Sequence, residues 1–244
     1  MLGAGLLCLS SCGGQTQTEQ TPAVDKSSAK NQVIETIMTR RSVRKYLPQP
    51  VNRDTMQMIL DCGIHAPNGQ NKQSWAVRVV DNPEFINGIT EVYKKLNPKM
   101  AEDPGFKNMF RNAPTVVFIA NDTSYDMSQI DCGLLGENMI LSAWSMGIGS
   151  CCLGSPIRFM KTEPQVADYL KRLNIPEGYE LLYCIAFGYP DESPDRLWLL
   201  PQERLSYSNN QPVKFRYPPN IVLIYRRHGC IQILCILQIG RAHV

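Results

Sequence analysis

Arg40, Arg41, Ser42 and Arg44 stand within five positions of one another, directly after a stretch patterned as an amphipathic helix. Guanidinium forks take phosphate oxygens in bidentate fashion, and a hydroxyl with unbonded backbone N–H groups completes such a shell. Together these residues offer the chemistry of a phosphate pocket; the alternative is a solvated basic run. A second polar segment, residues 66–75, begins where a helix stops at Pro67 and ends where an alternating strand starts at Trp75. Its side-chain amides and backbone groups lie between two elements, a position suited to gripping the polar edge of a heteroaromatic ring.

Two glycine-bearing stretches follow, Gly147-Ile-Gly-Ser-Cys-Cys-Leu-Gly154 and Phe187-Gly-Tyr-Pro-Asp-Glu192. In this order, Arg-Arg-Ser-x-Arg, Ala-Pro-Asn-Gly-x-Asn-x-Gln-x-Trp and these two stretches closely resemble the nitroreductase family of FMN flavoproteins, from about Asn31 to Tyr207. The resemblance implies an α+β, three-layer fold with a mainly antiparallel central sheet flanked by helices, in a domain-sharing homodimer. It implies that Arg40, Ser42 and Arg44 hold the phosphate and ribityl chain of FMN, with Arg41 close by. Pro67, Asn68 and Asn71 would contact the ring or ribityl edge. The turn Cys152-Leu153-Gly154 would face the isoalloxazine with backbone N–H groups, one of them near N5. The family also directs a C-terminal Arg at the phosphate; Arg204 is the candidate and Arg196 its rival, because the family's Lys-Pro-Arg pattern is absent here.

The implied activity is hydride transfer from NAD(P)H through flavin N5 to nitroaromatic, quinone or related acceptors. That chemistry needs no side-chain acid, base or nucleophile, only stacking distance and donors or positive charge beside the ring. No Gly-x-Gly-x-x-Gly motif offers a separate nicotinamide site, so donor and acceptor would share one open flavin face in ping-pong order. Reductive dehalogenation is an alternative, since deiodinases share the fold; Glu91, Tyr93 and Lys94 occur together, but not at the spacing of that lid. A further alternative is an envelope lipoprotein that binds flavin or a ligand without NAD(P)H turnover.

At 244 residues the chain is long enough for one substantial core, and no internal repeat divides it. The formal charge of +3 is carried by the end of the chain: residues 205–244 hold five basic side chains and no acidic one, leaving 20 basic against 22 acidic, a net of −2, before them. Such a body has no electrostatic case for nucleic acid. Residues 1–12 read as a signal segment, apolar from Met1 to Leu9 and ending in Leu9-Ser10-Ser11-Cys12, which resembles a bacterial lipobox with Cys12 as the lipidated residue. Residues 13–30 then read as a polar tether, so the expected location is the cell envelope by lipid anchor, with the cytoplasm as alternative. Signal peptides begin with Lys or Arg and this one has neither, so a start upstream of Met1 is expected.

Residues 31–217 are expected to form the FMN domain, and 218–244 a non-native tail, since Ile239-Gly-Arg-Ala-His-Val244 resembles translated adapter sequence. The cysteines form no spaced framework; Cys62, Cys132, Cys151, Cys152 and Cys184 read as small packing residues, and no His, Cys and carboxylate grouping has metal-ligand spacing.

Periodicity places the positioning elements. Val33, Ile34, Ile37 and Met38 make one helical stripe, and Met56, Ile59, Leu60, Gly63 and Ile64 a second. Strands are expected at 75–80, 115–120 and 181–187. Residues 131–145 should form a deeply buried helix, apolar on more than one side. Thr162 should cap a helix with Pro164 in its first turn and Val166, Leu170 and Leu173 facing inward. Residues 83–111 read either as the family's variable substrate lid or as a surface helix pair. His65 ends an apolar helix and reads as structural; His228 and His243 fall in the tail.

Overall fold

A computed structural model describes residues 31–194, 223–227 and 230–234. The β-branched and aromatic run of β2 (Thr115–Asp122) is buried from Thr115 to Asn121, so it must lie between two layers. It pairs antiparallel with β1 (Trp75–Val80) on one side and β4 (Tyr179–Gly188) on the other, and β4 pairs antiparallel with β3 (Gly149–Leu153), giving the order β1-β2-β4-β3. Alternate side chains of the sheet feed two cores. Val116, Phe118, Cys151, Cys184 and Ala186 pack with Phe85, Ile86 and Ile89 of α3 (Pro83–Leu96) and with Ile157 and Met160 of α6 (Ser155–Thr162). Val117, Ile119, Ile185 and Phe187 pack with Met56 and Ile59 of α2 (Arg53–Ile64) and with Cys132, Leu135 and Met139 of α5 (Ser128–Ser145). The expected α+β, three-layer arrangement around an antiparallel sheet is the one observed.

Helix ends follow local chemistry. Asn31 caps α1 (Gln32–Thr39), its Oδ1 accepting from the Val33 and Ile34 N–H groups at 3.1 and 3.3 Å, and Asn52 and Asn82 cap α2 and α3 in the same way. After α3 comes the single turn α4 (Pro98–Ala101). Contrary to expectation, Thr162 caps nothing and closes α6. Glu163 caps instead, accepting from the Gln165 N–H at 3.0 Å, and a 3₁₀ turn at Pro164–Val166 leads into α7 (Ala167–Arg172). A carboxylate can reach the first N–H groups there, while the Thr162 hydroxyl is occupied by the Arg158 and Phe159 carbonyls.

Two further differences bear on the site. The expected turn Cys152-Leu153-Gly154 is the end of β3 followed by the residue that opens α6. Cys152 is exposed and Cys62 half-buried, whereas Cys132, Cys151 and Cys184 are buried as packing residues; none of the five is in a disulfide. Among the described residues the stripe of α1 meets no core: Val33, Ile34, Ile37 and Met38 are 65, 60, 49 and 55% exposed. In the tail, β5 (Leu223–Arg227) pairs with β6 (Cys230–Leu234) as a separate two-stranded sheet. Cys12, the tether, Arg196, Arg204, His228 and His243 lie outside the described residues.

Candidate functional site

The arginine-rich segment is stitched to the sheet by its backbone. Val43 donates its N–H to Ser150 O at 2.9 Å, forming a parallel bridge between Ser42 and Ser150, and Leu47 donates to Tyr189 O at 2.9 Å. Asp191 donates back to Lys45 O at 2.9 Å, and Glu192 Oε1 accepts from the Arg44 and Lys45 N–H groups. Val43 and Tyr46 are buried while Arg44 and Lys45 face outward. Two glycines permit this close approach. A Cβ at Gly149 would stand 2.8 Å from Val43 Cβ, and one at Gly188 would stand 2.8 Å from Tyr46 Cδ1. The glycines of the third and fourth motifs thus seat the first motif against the sheet.

The arginines diverge from that backbone. Arg41 Nη1 donates to the Met38 and Arg40 carbonyls at 3.0 and 2.7 Å, capping the C-terminal end of α1. Burial, and then the charge of Arg40, lower its pKa from the usual value. Arg40 reaches toward α5, its Nε 3.7 Å from Glu137 Oε1. Arg44, steadied by a 3.1 Å bond from Nη1 to Ser42 O, lines a cavity of 420 Å³ with Tyr93, Phe106, Met109, Arg111 and Ser155. The Tyr93 and Phe106 rings, 5.8 Å apart, form an apolar wall. Ser155, in the first turn of α6, also lines the cavity; Gly154 before it opens α6 with no side-chain cap, and a Cβ there would meet nothing within 4 Å. An uncapped helix N-terminus beside guanidinium groups favours an anion.

Arg111 was not among the residues singled out from sequence. It comes into the cavity because Arg111 and Asn112 both adopt left-handed backbone, with φ of 60 and 62°. Asn112 holds this turn, its Oδ1 accepting from the Lys107 and Asn108 N–H groups at 2.8 and 2.9 Å and its Nδ2 donating to Gly105 O at 2.8 Å. Strained non-glycine backbone of this kind persists where the surroundings over-determine it. Burial pushes the Cys151 thiol up, while the charges of Arg44 and Arg111 pull it down, so both guanidinium groups act on one locality. Within residues 83–111, α3 buries Phe85, Ile86, Ile89 and Thr90 and brings Tyr93 to the cavity, which Met100, Phe106, Met109 and Arg111 also line.

The Pro67–Ser74 loop is built with similar firmness. Asp131, 2% exposed, accepts from the Gly69 N–H at 3.1 Å and from Ser74 Oγ at 2.7 Å. Asn68 Oδ1 accepts from the Gln73 N–H at 2.9 Å, and Gln70, Asn71 and Gln73 are all left-handed. Pro67 and Asn71 are exposed and Asn68 half-buried. The loop sits at the N-terminal end of α5, whereas Thr39, before the arginines, accepts a 3.1 Å bond from Trp144 near the C-terminal end. At 1.5 Å per residue the two anchors on α5 stand roughly 20 Å apart. Among the described residues, the lining of the Arg44 cavity includes none of the Pro67–Ser74 loop. His65 is structural, its Nδ1 2.7 Å from Asp61 O, and among the described residues no group of His, Cys, Asp and Glu is arranged to hold a metal.

Similarity to known proteins follows the same boundaries. The chain is 26% identical to the NADPH-flavin oxidoreductase of Vibrio harveyi over 187 residues, covering 73% of this chain and 74% of that protein. A nitroreductase with bound FMN from Bacteroides fragilis NCTC 9343 superposes with a TM-score of 0.58 at 29% identity, covering 75% of this chain and 100% of that one. One with bound FMN from Desulfitobacterium hafniense DCB-2 gives 0.62 at 25% identity, covering 73 and 99%. The family model for the Nitroreductase family matches residues 37–189, from the end of α1 to the residue after β4, and the chain belongs to that family.

Proposed function

We propose that the protein is an FMN-dependent oxidoreductase that takes reducing equivalents from NAD(P)H and passes them to nitroaromatic, quinone or related acceptors. The observation that carries this reading is the 420 Å³ cavity where Arg44, Arg111 and Ser155 meet the uncapped start of α6. Its donor set suits a phosphorylated, electron-accepting ring: two guanidinium groups for negative charge, an aromatic wall, and open space at Gly154 for close approach. FMN, when bound, supplies a ring that accepts hydride from the nicotinamide and returns it to the acceptor. Arg44 and Arg40 bind the phosphate and ribityl chain, with Arg41 and Ser42 shaping that segment. Arg111 adds positive charge, which stabilises an anionic ring. The backbone of Cys152, Leu153 and Gly154 orients the ring edge, and no side chain needs to move a proton. Donor and acceptor take turns on one open face, which gives ping-pong kinetics.

A second copy of the chain completes the site. The exposed stripe of α1, with Ile130 and Leu134 of α5 at 53 and 41% exposure, supports a homodimer. In that assembly the rigid Pro67–Ser74 loop of one subunit, with Pro67, Asn68 and Asn71, serves the arginine-lined cavity of the other. Arg204 or Arg196 adds the C-terminal cation. Cys12 holds the assembly on the cell envelope, a reading supported by Leu9-Ser10-Ser11-Cys12 and the polar stretch behind it. The test is an absorption spectrum of the purified full chain. The expected result is a flavin spectrum bleached by NADH or NADPH without oxygen and restored by a nitroaromatic or quinone, with parallel double-reciprocal plots. A colourless protein that takes up no added FMN overturns the assignment, and intersecting plots overturn the shared face.

A further inference from the structure

Beside the Arg44 cavity lies a larger one of 700 Å³, and Lys45, Gly105, Asn108 and Asn112 form a wall common to both. Its volume falls within the roughly 300–1,000 Å³ typical of small-molecule sites. Three lysines line it, Lys45, Lys94 and Lys107, against two acids, Glu91 and Asp191, a net lining charge of +1. Lys94 Nζ is spent on Glu91 Oε1 at 3.1 Å, one turn along α3. Lys45 and Lys107 have no ion-pair partner among the described residues, and both are exposed to whatever enters. The apolar part of the lining comes from Pro48, Pro50, Pro83 and Pro114 with the edges of Tyr46 and Ile86, and Asn87, Asn108 and Asn112 add side-chain amides. A pair of unspent ammonium groups beside a proline and tyrosine floor suits a phosphorylated heteroaromatic nucleoside. Ammonium groups meet the phosphate as point charges and the floor meets the base.

The geometry points to this cavity as the seat of the adenosine 2′-phosphate arm of NADPH, with Lys107 and Lys45 on the phosphate and the nicotinamide end crossing the common wall into the Arg44 cavity. The inference rests on the reading that a nicotinamide dinucleotide reduces a flavin bound there, and it goes further by choosing between the two donors. NADH lacks the 2′-phosphate and leaves the two lysines unpaired, so NADPH is the preferred donor. Glu91 and Asp191 keep the lining close to neutral, which suits one phosphate rather than a dense polyanion.

The test separates binding from turnover. Adenosine 2′,5′-bisphosphate and 5′-AMP are titrated calorimetrically into the full chain, and kcat/KM is measured with NADPH and with NADH. The bisphosphate should bind about tenfold or more tightly than 5′-AMP at low salt, with the gap narrowing as salt screens exposed charge. Lys107→Met should remove most of that gap and lower kcat/KM with NADPH by a clearly larger factor than kcat/KM with NADH. Lys94→Met, which takes away a lysine already paired, should act more weakly. Equal binding of the two nucleotides, or a gap that survives Lys107→Met, overturns the inference even in a protein that is yellow and oxidises NADH. Loss of flavin and of all NAD(P)H oxidation is the separate failure of the oxidoreductase reading, and the nucleotide titrations decide the cavity without it.

Discussion

Arg41 and Arg44 are three positions apart and chemically identical, yet their guanidinium groups do different things. Arg41 is already committed to two backbone carbonyls at the end of α1, whereas Arg44 lines the 420 Å³ cavity. A hydrogen bond to a charged partner contributes about 1.5–3 kcal/mol, so Arg44→Ala should weaken FMN binding by roughly 10- to 150-fold. Arg41→Ala should cost flavin affinity several-fold less and show itself mainly as fraying of α1. Fluorescence titration of the deflavinated variants with FMN measures both, and equal losses would show that Arg41 turns into the cavity when flavin binds. From sequence, the cluster Arg40, Arg41, Ser42 and Arg44 was legible as a set, but the division of labour within it was not. It depends on where α1 stops and on which side of the strand-like segment each residue falls. Arg111 was invisible for a related reason: it lies far along the chain, and only a pair of left-handed residues turns it toward Arg44.

The segment that carries these arginines is held by β3 and the end of β4, so a change in those strands should be felt at the cavity. Gly149→Ala places a methyl group 2.8 Å from Val43 Cβ, a distance real Cβ atoms essentially never show. Val43 is fully buried and cannot retreat cheaply, so the variant should lose about 1–3 kcal/mol, typical of an overpacked core. Urea unfolding should shift to a lower midpoint with an unchanged slope. The flavin should also be released more readily than from an equally destabilised variant on α7. Equal retention of flavin in the two would separate β3 from the site. The helices α1, α2 and α5 and the strands expected at 75–80, 115–120 and 181–187 were legible because their periodicity or β-branched runs are strong, whereas α6 was not expected. The strand β3 was not: Gly-Ser-Cys-Cys-Leu contains no β-branched or aromatic residue, and only pairing with β4 makes it a strand. The move of the cap from Thr162 to Glu163 has a local cause instead, since the Thr162 hydroxyl is bonded to the Arg158 and Phe159 carbonyls.

Whole-molecule behaviour turns on surfaces that a single protomer leaves open. Four apolar residues of α1 at 49–65% exposure meet no core among the described residues, and the flavin reading needs the Pro67–Ser74 loop from a second copy. Ile34→Glu with Ile37→Glu should therefore yield a monomer in sedimentation and, with it, loss of bound FMN; a monomer that stays yellow would show that one chain suffices. Membrane attachment should behave independently, because each chain carries its own Cys12 and its own polar stretch of residues 13–30. A lipidated cysteine brings more than one acyl chain, enough for stable anchoring where one chain gives only marginal binding. The monomeric variant should thus remain with membranes, held by one anchor instead of two, while Cys12→Ala should lose lipid labelling and move to the soluble fraction as an intact yellow dimer. Cys8→Ala supplies the control, since on the lipoprotein reading Cys8 would lie ahead of the cleavage position. Fractionation of cells expressing each form measures this, and equal membrane association of Cys12→Ala and the parent would mean that some other feature of the chain makes the attachment.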